Sequence, residues 1–294
     1  MSGELFALAA ALAWAVGSLL FARIGRVASP YAMNLGKCIA AGALLLGAAL
    51  VLEGRPRDAT PAAFAWLLAS SILGLTVGDT AYFGAIVRLG VPRAIVLLSS
   101  APIFAAIFGA VFMNEHLGLR DALGILLTLA GVGLVVLRRE DATDLTRGRA
   151  ASGIALGVVS GIGQAAGSVL SKRAMELGIE PAFAGGARLF MGGVALGIGL
   201  AVFGRARAVV RELRPRGVML KIAGASMVGS FLGLYLAQNA LHRTASVGVA
   251  STLLATSPVF ALPLAHFAGQ ERMRARAVVG AVTAVAGVAV LTLG

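Results

Sequence analysis

Ten mainly apolar stretches follow one another along this chain with only short connections between them. They cover residues 5–21, 30–52, 61–87, 94–113 and 122–137, then 153–170, 181–203, 218–241, 247–267 and 277–293. A helix crosses the hydrocarbon core of a bilayer in about 20 residues, and irregular backbone facing lipid is excluded because its N–H and C=O groups find no water there. The 294 residues are 59% hydrophobic and 13% charged, too few polar side chains to coat a soluble fold of this size. The expected fold class is therefore an all-α polytopic membrane protein with ten transmembrane helices. Residues 1–17 lack a basic start and run directly into the first stretch, unlike a cleavable signal.

The formal net charge is +12, a balance that also occurs in nucleic-acid-binding proteins. The arginines, however, sit between the apolar stretches, as in Arg138–Arg139, Arg205/Arg207 and Arg211/Arg214/Arg216. Cytoplasmic loops of a membrane protein carry that pattern, and no nucleic-acid partner is expected. Connections after odd-numbered spans hold most of the basic residues, among them Arg23, Arg26, Arg88, Arg93, Arg147, Arg149, Arg272, Arg274 and Arg276. Connections after even-numbered spans hold Arg55, Arg57, Arg120, Lys172, Arg173 and Arg243. The expected placement is the plasma membrane, with the first set cytoplasmic and both termini outside. Cys38 is the single cysteine, so a disulfide framework is ruled out, and scattered His116, His242 and His266 do not replace a metal cluster. No phosphate-binding GxxxxGK[ST] loop occurs, so ATP-driven transport is unsupported and no cofactor is expected.

The chain repeats itself. Ser99-Ser100-Ala101-Pro102-Ile103-Phe104 lines up with Ala255-Thr256-Ser257-Pro258-Val259-Phe260. The same register pairs Glu115 with Glu271, Gly124 with Gly280, and Ala130-Gly131-Val132 with Ala286-Gly287-Val288. Slightly shifted registers pair Pro30 with Pro181, Lys37 with Arg188, Gly42 with Gly193, Gly17-Ser18 with Gly167-Ser168, and Tyr82 with Tyr235. The halves are residues 1–139 and 151–294, joined by a polar stretch at 140–150. Each half has an odd number of spans, so the two five-helix copies are expected to be inverted relative to each other. Inverted repeats of this kind recur in secondary transporters, with the site near the midplane between the halves.

The five-span unit resembles the EamA domain of the drug/metabolite transporter superfamily. The resemblance rests on Gly78-Asp79-Thr80-Ala81-Tyr82-Phe83-Gly84-Ala85-Ile86, Ala101-Pro102-Ile103-Phe104, Asn114-Glu115 and the glycine-rich helix from Gly124 to Gly133. In the second unit it rests on Ser257-Pro258-Val259-Phe260 and Gly269-Gln270-Glu271. It implies a ten-helix exporter or permease of small metabolites, amino acids among them, without specifying the substrate. Trp14 and Trp66 are the only tryptophans, which argues against a cavity walled by many large aromatics.

Ionisable side chains inside spans are costly and usually face a cavity or a partner. Lys37 lies about seven residues into the second span and Asp79 about eight residues before the end of the third, which puts both about 10 Å from the same membrane face. An Asp79–Lys37 pair would serve proton coupling if broken by a proton or substrate, or would be a static tie between helices. Arg188, the counterpart of Lys37, either binds an anionic group or extends toward the interface to cap carbonyls. In the register that pairs the tyrosines, Asp79 falls opposite Leu232, so the second half supplies no matching acid.

Helical spacing gathers Tyr235, Gln238, Asn239 and His242 on one face of the eighth span, and Thr76, Asp79 and Tyr82 on one face of the third. It does the same for Ser160, Gln164, Ser168 and Ser171 in the sixth span, and for Trp14 and Ser18 in the first. Trp14, Tyr82, Gln164, Tyr235, Gln238 and Asn239 are thus expected to bind substrate in a cavity, the alternative being hydrogen bonds between helices. Pro102 and Pro258 are expected to kink their helices, either as gating points or as fixed bends that shape the bundle, with Ser99, Ser100 and Thr256 satisfying freed carbonyls. Glu115 and Glu271 read as solvated charges at helix ends. No nucleophile–base or paired-ligand constellation appears, so no catalytic residue, metal or enzyme activity is expected. The expected function is secondary transport of small organic metabolites, amino acids or drugs, with a flippase for lipid-linked or cationic amphiphilic substrates as the alternative. The partners are a small-molecule substrate and the bilayer. Two fused halves supply their own interface, which suits a monomer and leaves a homodimer open.

Overall fold

The computed structural model describes residues 2–52, 54, 56, 59–112, 118–136, 147–243, 253–269 and 275–292. All regular structure among them is helical: α1 (Gly3–Ile24), α2 (Pro30–Leu52), α3 (Pro61–Leu89), α4 (Val91–Leu98), α5 (Ala101–Phe112) and α6 (Leu119–Val136). The second half holds α7 (Arg147–Glu176), α8 (Pro181–Val202), α9 (Ala206–Leu213), α11 (Ser257–Phe267) and α12 (Ala275–Thr292). Between α9 and α11, helix α10 runs from Arg216–Ser226 through Met227–Leu232 into Gly233–Arg243. Each apolar stretch of the sequence contains helix, the fourth being α4 plus α5, and α9 is an extra short segment. Six helices, α1, α2, α3, α7, α8 and α10, are long and apolar enough to cross a membrane, and shorter apolar helices occupy the other four stretches. Glu115, Glu271 and residues 140–146 lie outside the described residues. Helix α7 already starts at Arg147, inside the polar stretch 140–150, because arginine is a good helix former whose charged tip stays in water while its stem lies along apolar surface.

Packing follows membrane rules. Ile39, Leu44, Leu126, Leu129, Phe190 and Ile198 are exposed, while the buried set is rich in alanine. Lipid tails are as apolar as leucine, so helices associate through small residues that let backbones approach. A Cβ on Gly42 would lie 3.2 Å from Leu189 Cβ, and one on Gly193 would lie 2.9 Å from Cys38 Cβ. In the repeat register Gly42 matches Gly193 and Cys38 matches Leu189, so these are one contact seen twice. Helices α6 and α12 behave alike: Gly131 meets Ala284, and its image Gly287 meets Thr128. In both pairs, residue numbers rise along one helix as they fall along the other, so equivalent helices run antiparallel. The crossing of α1 with α10 at Gly17 and Gly229 is answered by that of α7 with α3 at Gly167 and Gly74. Contacts of α1 with α11 are answered by those of α7 with α4 and α5. Exchanging helices for their counterparts reproduces these crossings, while α9, packed on α2 and α8, has no counterpart among the described residues.

Two irregularities recur in both halves. Helix α3 widens to π-helical geometry over Ser71–Asp79 and α10 does so over Met227–Leu232, ending at positions that correspond when Tyr82 is set opposite Tyr235. The fourth stretch breaks at the Ser99–Ser100 turn and the ninth at the Ala255–Thr256 turn. Contrary to the expectation from the sequence, Pro102 and Pro258 therefore do not kink continuous helices. Each sits in the first turn of a new helix, where the missing N–H has no partner to lose. The serine and threonine hydroxyls do satisfy carbonyls at the breaks: Ser99 Oγ donates to Ile95 O (2.9 Å), Ser100 Oγ to Leu97 O (2.6 Å) and Thr256 Oγ1 to Leu253 O (2.6 Å). Helix α9 is tied beneath α2, with the Ser29 amide donating to Glu212 Oε2 at 2.7 Å, a carboxylate placed at a helix N-terminus where the dipole favours it.

Candidate functional site

The symmetric crossings leave a gap between the halves. A cavity of about 1360 Å³ lies among α1, α2, α3, α4, α5, α7, α8, α10 and the start of α11. At one end its wall includes Trp66 near the start of α3 and Lys172, Arg173 and Glu176 at the end of α7. Arg173 and Glu176 are exposed there and pair with each other at 3.0 Å. Toward the opposite end the side chains pack into an apolar cluster that includes Phe21, Ile24, Met33, Phe83, Ile86 and Ile95.

The side chains that the sequence placed at equal depth meet. Lys37 Nζ and an oxygen of Asp79 form an ion pair on the cavity wall, the lysine side chain 4% and the aspartate 23% exposed. The Phe83 ring lies 5.6 Å from Lys37 Nζ, where its face attracts the cation. Beside this pair, Tyr82 Oη and Ser18 Oγ share a hydrogen bond of 2.8 Å, and Ser18 Oγ also donates to Trp14 O at 2.6 Å. One further residue organises the site. Asn34, fully buried, donates from Nδ2 to Leu75 O (2.7 Å) and Thr80 Oγ1 (2.8 Å). It thereby clamps α2 to the π-helical stretch that carries Asp79. Its signal in the sequence is its position three residues before Lys37, on the same helix face.

Arg188 enters from α8. It is 3% exposed and lines the cavity, within electrostatic range of Asp79. Its guanidinium fills room left by two glycines: Nη2 lies 3.0 Å from where a Cβ on Gly74 would stand and 3.1 Å from that on Gly167. Its Nε is buried without a hydrogen-bond partner, and no ion pair forms to it among the described residues.

Of the other expected binding residues, Trp14, Tyr82 and Gln164 line the cavity, as does Pro102, and Pro258 is represented by its neighbour Ser257. Tyr235, Gln238 and Asn239 are not on the lining. Gln238 is 1% exposed and donates to Ser171 Oγ at 2.9 Å, joining α10 to α7. Asn239 donates to Tyr235 O at 3.0 Å and accepts from Arg243 Nε at 3.3 Å. From α10 the cavity receives Gly229, Ser230 and Leu234 instead. Aromatic rings are also more prominent than two tryptophans suggested: Trp14, Phe21, Trp66, Tyr82, Phe83 and Phe108 all contribute to the wall. Phenylalanine and tyrosine supply what tryptophan does not. No cluster of three or more His, Cys, Asp or Glu side chains suited to a metal occurs among the described residues.

The model of the EamA-like transporter family matches this chain twice, over residues 1–137 and 151–293. No curated protein sequence matches it. Among solved structures, one titled "Crystal structure of protein" is similar in fold, with a TM-score of 0.69 at 18% identity, covering 99% of this chain and 96% of that one.

Proposed function

The chain belongs to the EamA-like transporter family, whose members are multi-pass membrane transporters of small molecules, and from that premise we propose that it is a secondary transporter working by alternating access. In this reading ten spans form two inverted five-helix repeats, residues 1–139 and 151–294, and the cavity between them carries a small organic molecule. The arginine-rich connections face the cytoplasm and both termini lie outside. The end of the cavity at Trp66 and Glu176 then faces outward and is open, and the apolar cluster seals the cytoplasmic end. The observation that carries the reading is the cavity bounded by symmetry-related helix crossings, with exposed charged side chains at one end and an apolar cluster at the other. A pseudo-twofold arrangement lets the halves rock so that the seal and the opening change places. Trp14, Tyr82 and Gln164 contact the substrate, and the breaks before Pro102 and Pro258 give spans four and nine a bending point each.

Lys37 and Asp79 suit coupling to protons. While paired, they present a neutral site; a proton on Asp79 releases Lys37 and changes the charge that the cavity offers. The test is a thermal-shift screen of the purified protein against metabolites at neutral and lowered pH, followed by flux of the best ligand in proteoliposomes. A ligand that binds only the folded state raises its apparent stability. Accumulation driven by an imposed pH gradient and abolished by its collapse is expected. Identical flux with and without the gradient would remove proton coupling while leaving facilitated transport.

A further inference from the structure

The two halves treat their equivalent cations differently. Lys37 has Asp79, but the position that answers Asp79 in the second half is Leu232, which carries no charge. Arg188 is therefore the uncompensated member of the pair of cations. An unpaired ion at membrane depth is costly on insertion scales, and a buried guanidinium left without an acceptor adds to that cost. Yet the fold makes room for it, since Gly74 and Gly167 are the residues that let the guanidinium sit at the cavity wall. Asp79 is the one acidic residue in the interior of a span; the others lie at helix ends or in connections.

Resting on the transporter reading above, we propose that Arg188 is the docking point for the carboxylate of the transported molecule, an organic monoanion with an apolar body. The substrate supplies the acid that the second repeat lacks. The charge count favours one negative charge: Lys37 and Asp79 cancel, leaving a single positive charge deep in the cavity. A guanidinium fork matches a carboxylate with two parallel hydrogen bonds. The cavity wall, which includes Trp14, Tyr82, Leu75 and Leu189, suits an aromatic or aliphatic body, and Lys172 at the mouth favours entry of anions. A cationic amphiphile would meet unpaired positive charge.

The full-length protein, in nanodiscs of phosphatidylcholine alone so that no anionic headgroup is supplied, is titrated with phenylacetate, phenylacetamide, phenethylamine and phenyl phosphate. Phenylacetate and its amide differ in charge at nearly constant shape. Phenylacetate is expected to bind at least tenfold more tightly than the other three. Arg188→Lys, which keeps the charge but loses the fork, should weaken it about tenfold. Arg188→Met should abolish it while raising the melting temperature of the ligand-free protein, because an unpaired buried charge is gone. Equal affinity, or none, across the four probes overturns the assignment, as does an Arg188→Met protein that is less stable and binds phenylacetate unchanged. A preference for phenyl phosphate overturns the carboxylate in favour of a phosphate. If Arg188→Met does not fold, unchanged affinity in Arg188→Lys serves as the contrary result. Failure here leaves the transporter reading standing, since that is judged by access from both membrane faces.

Discussion

Asp79→Asn will destabilise the protein by about 3 kcal/mol, the lower end of what removing one partner of a buried ion pair costs, because the aspartate side chain keeps 23% exposure to the cavity. Lys37 would remain buried at 4% side-chain exposure with its countercharge gone. Replacing both partners, as Lys37→Met with Asp79→Leu, should restore most of the loss, since apolar residues of similar volume often do as well as a buried pair. Stability and coupling then separate: the double variant folds yet no longer accumulates substrate in response to a pH gradient. Thermal unfolding and proteoliposome flux read the two quantities. A double variant that still accumulates substrate would show that the pair only ties α2 to α3.

Gly131→Leu and Gly287→Leu will cause the largest packing losses, and to equal degrees. A Cβ at Gly131 would meet the backbone at Ala284 and lie 2.5 Å from Gly280 O; at Gly287 it would meet Thr128 and lie 2.8 Å from Gly124 O. Backbone cannot yield as a side-chain tip can, so even alanine at either position should cost about 1–3 kcal/mol by overpacking, and leucine should separate α6 from α12. Gly197 in α8 is the control. Nothing lies within 4 Å of a Cβ built there, and Gly197→Ala should be neutral or stabilising by up to about 1 kcal/mol through helix propensity. Losses that differ sharply between Gly131 and Gly287 would contradict the equivalence of the two helices.

Much of the architecture could be read from residue order because the bilayer restricts what a chain can do. Apolar length locates helices, and alignment of Lys37 with Arg188 or Gly124 with Gly280 pairs them. The Lys37–Asp79 pair was legible for the same reason: counting residues from a membrane face gives depth, and equal depth on neighbouring helices permits contact. The face assignment in α10 did not reach the cavity because a polar stripe can meet either a cavity or another helix, and here Gln238 is buried against Ser171 of α7. Tyr235, Gln238 and Asn239 keep their spacing relative to each other but lie off the cavity wall, whereas Ser230 and Leu234 are on it. The role of Asn34 was not legible either, since its acceptors lie in α3, at Leu75 and Thr80, far away in sequence.

Alternating access requires that one cavity be reached in turn from opposite faces of the membrane. Ser168→Cys places a thiol on the cavity wall, and Cys38→Ala removes the native one, which is buried. Vesicles of both orientations, treated with a membrane-impermeant maleimide, provide the measurement. That cysteine is expected to be labelled in right-side-out and in inside-out vesicles, with a ligand that raises one rate lowering the other. Labelling from one face alone, at every pH and ligand concentration tried, would contradict alternating access and leave a vestibule that never opens to the other side.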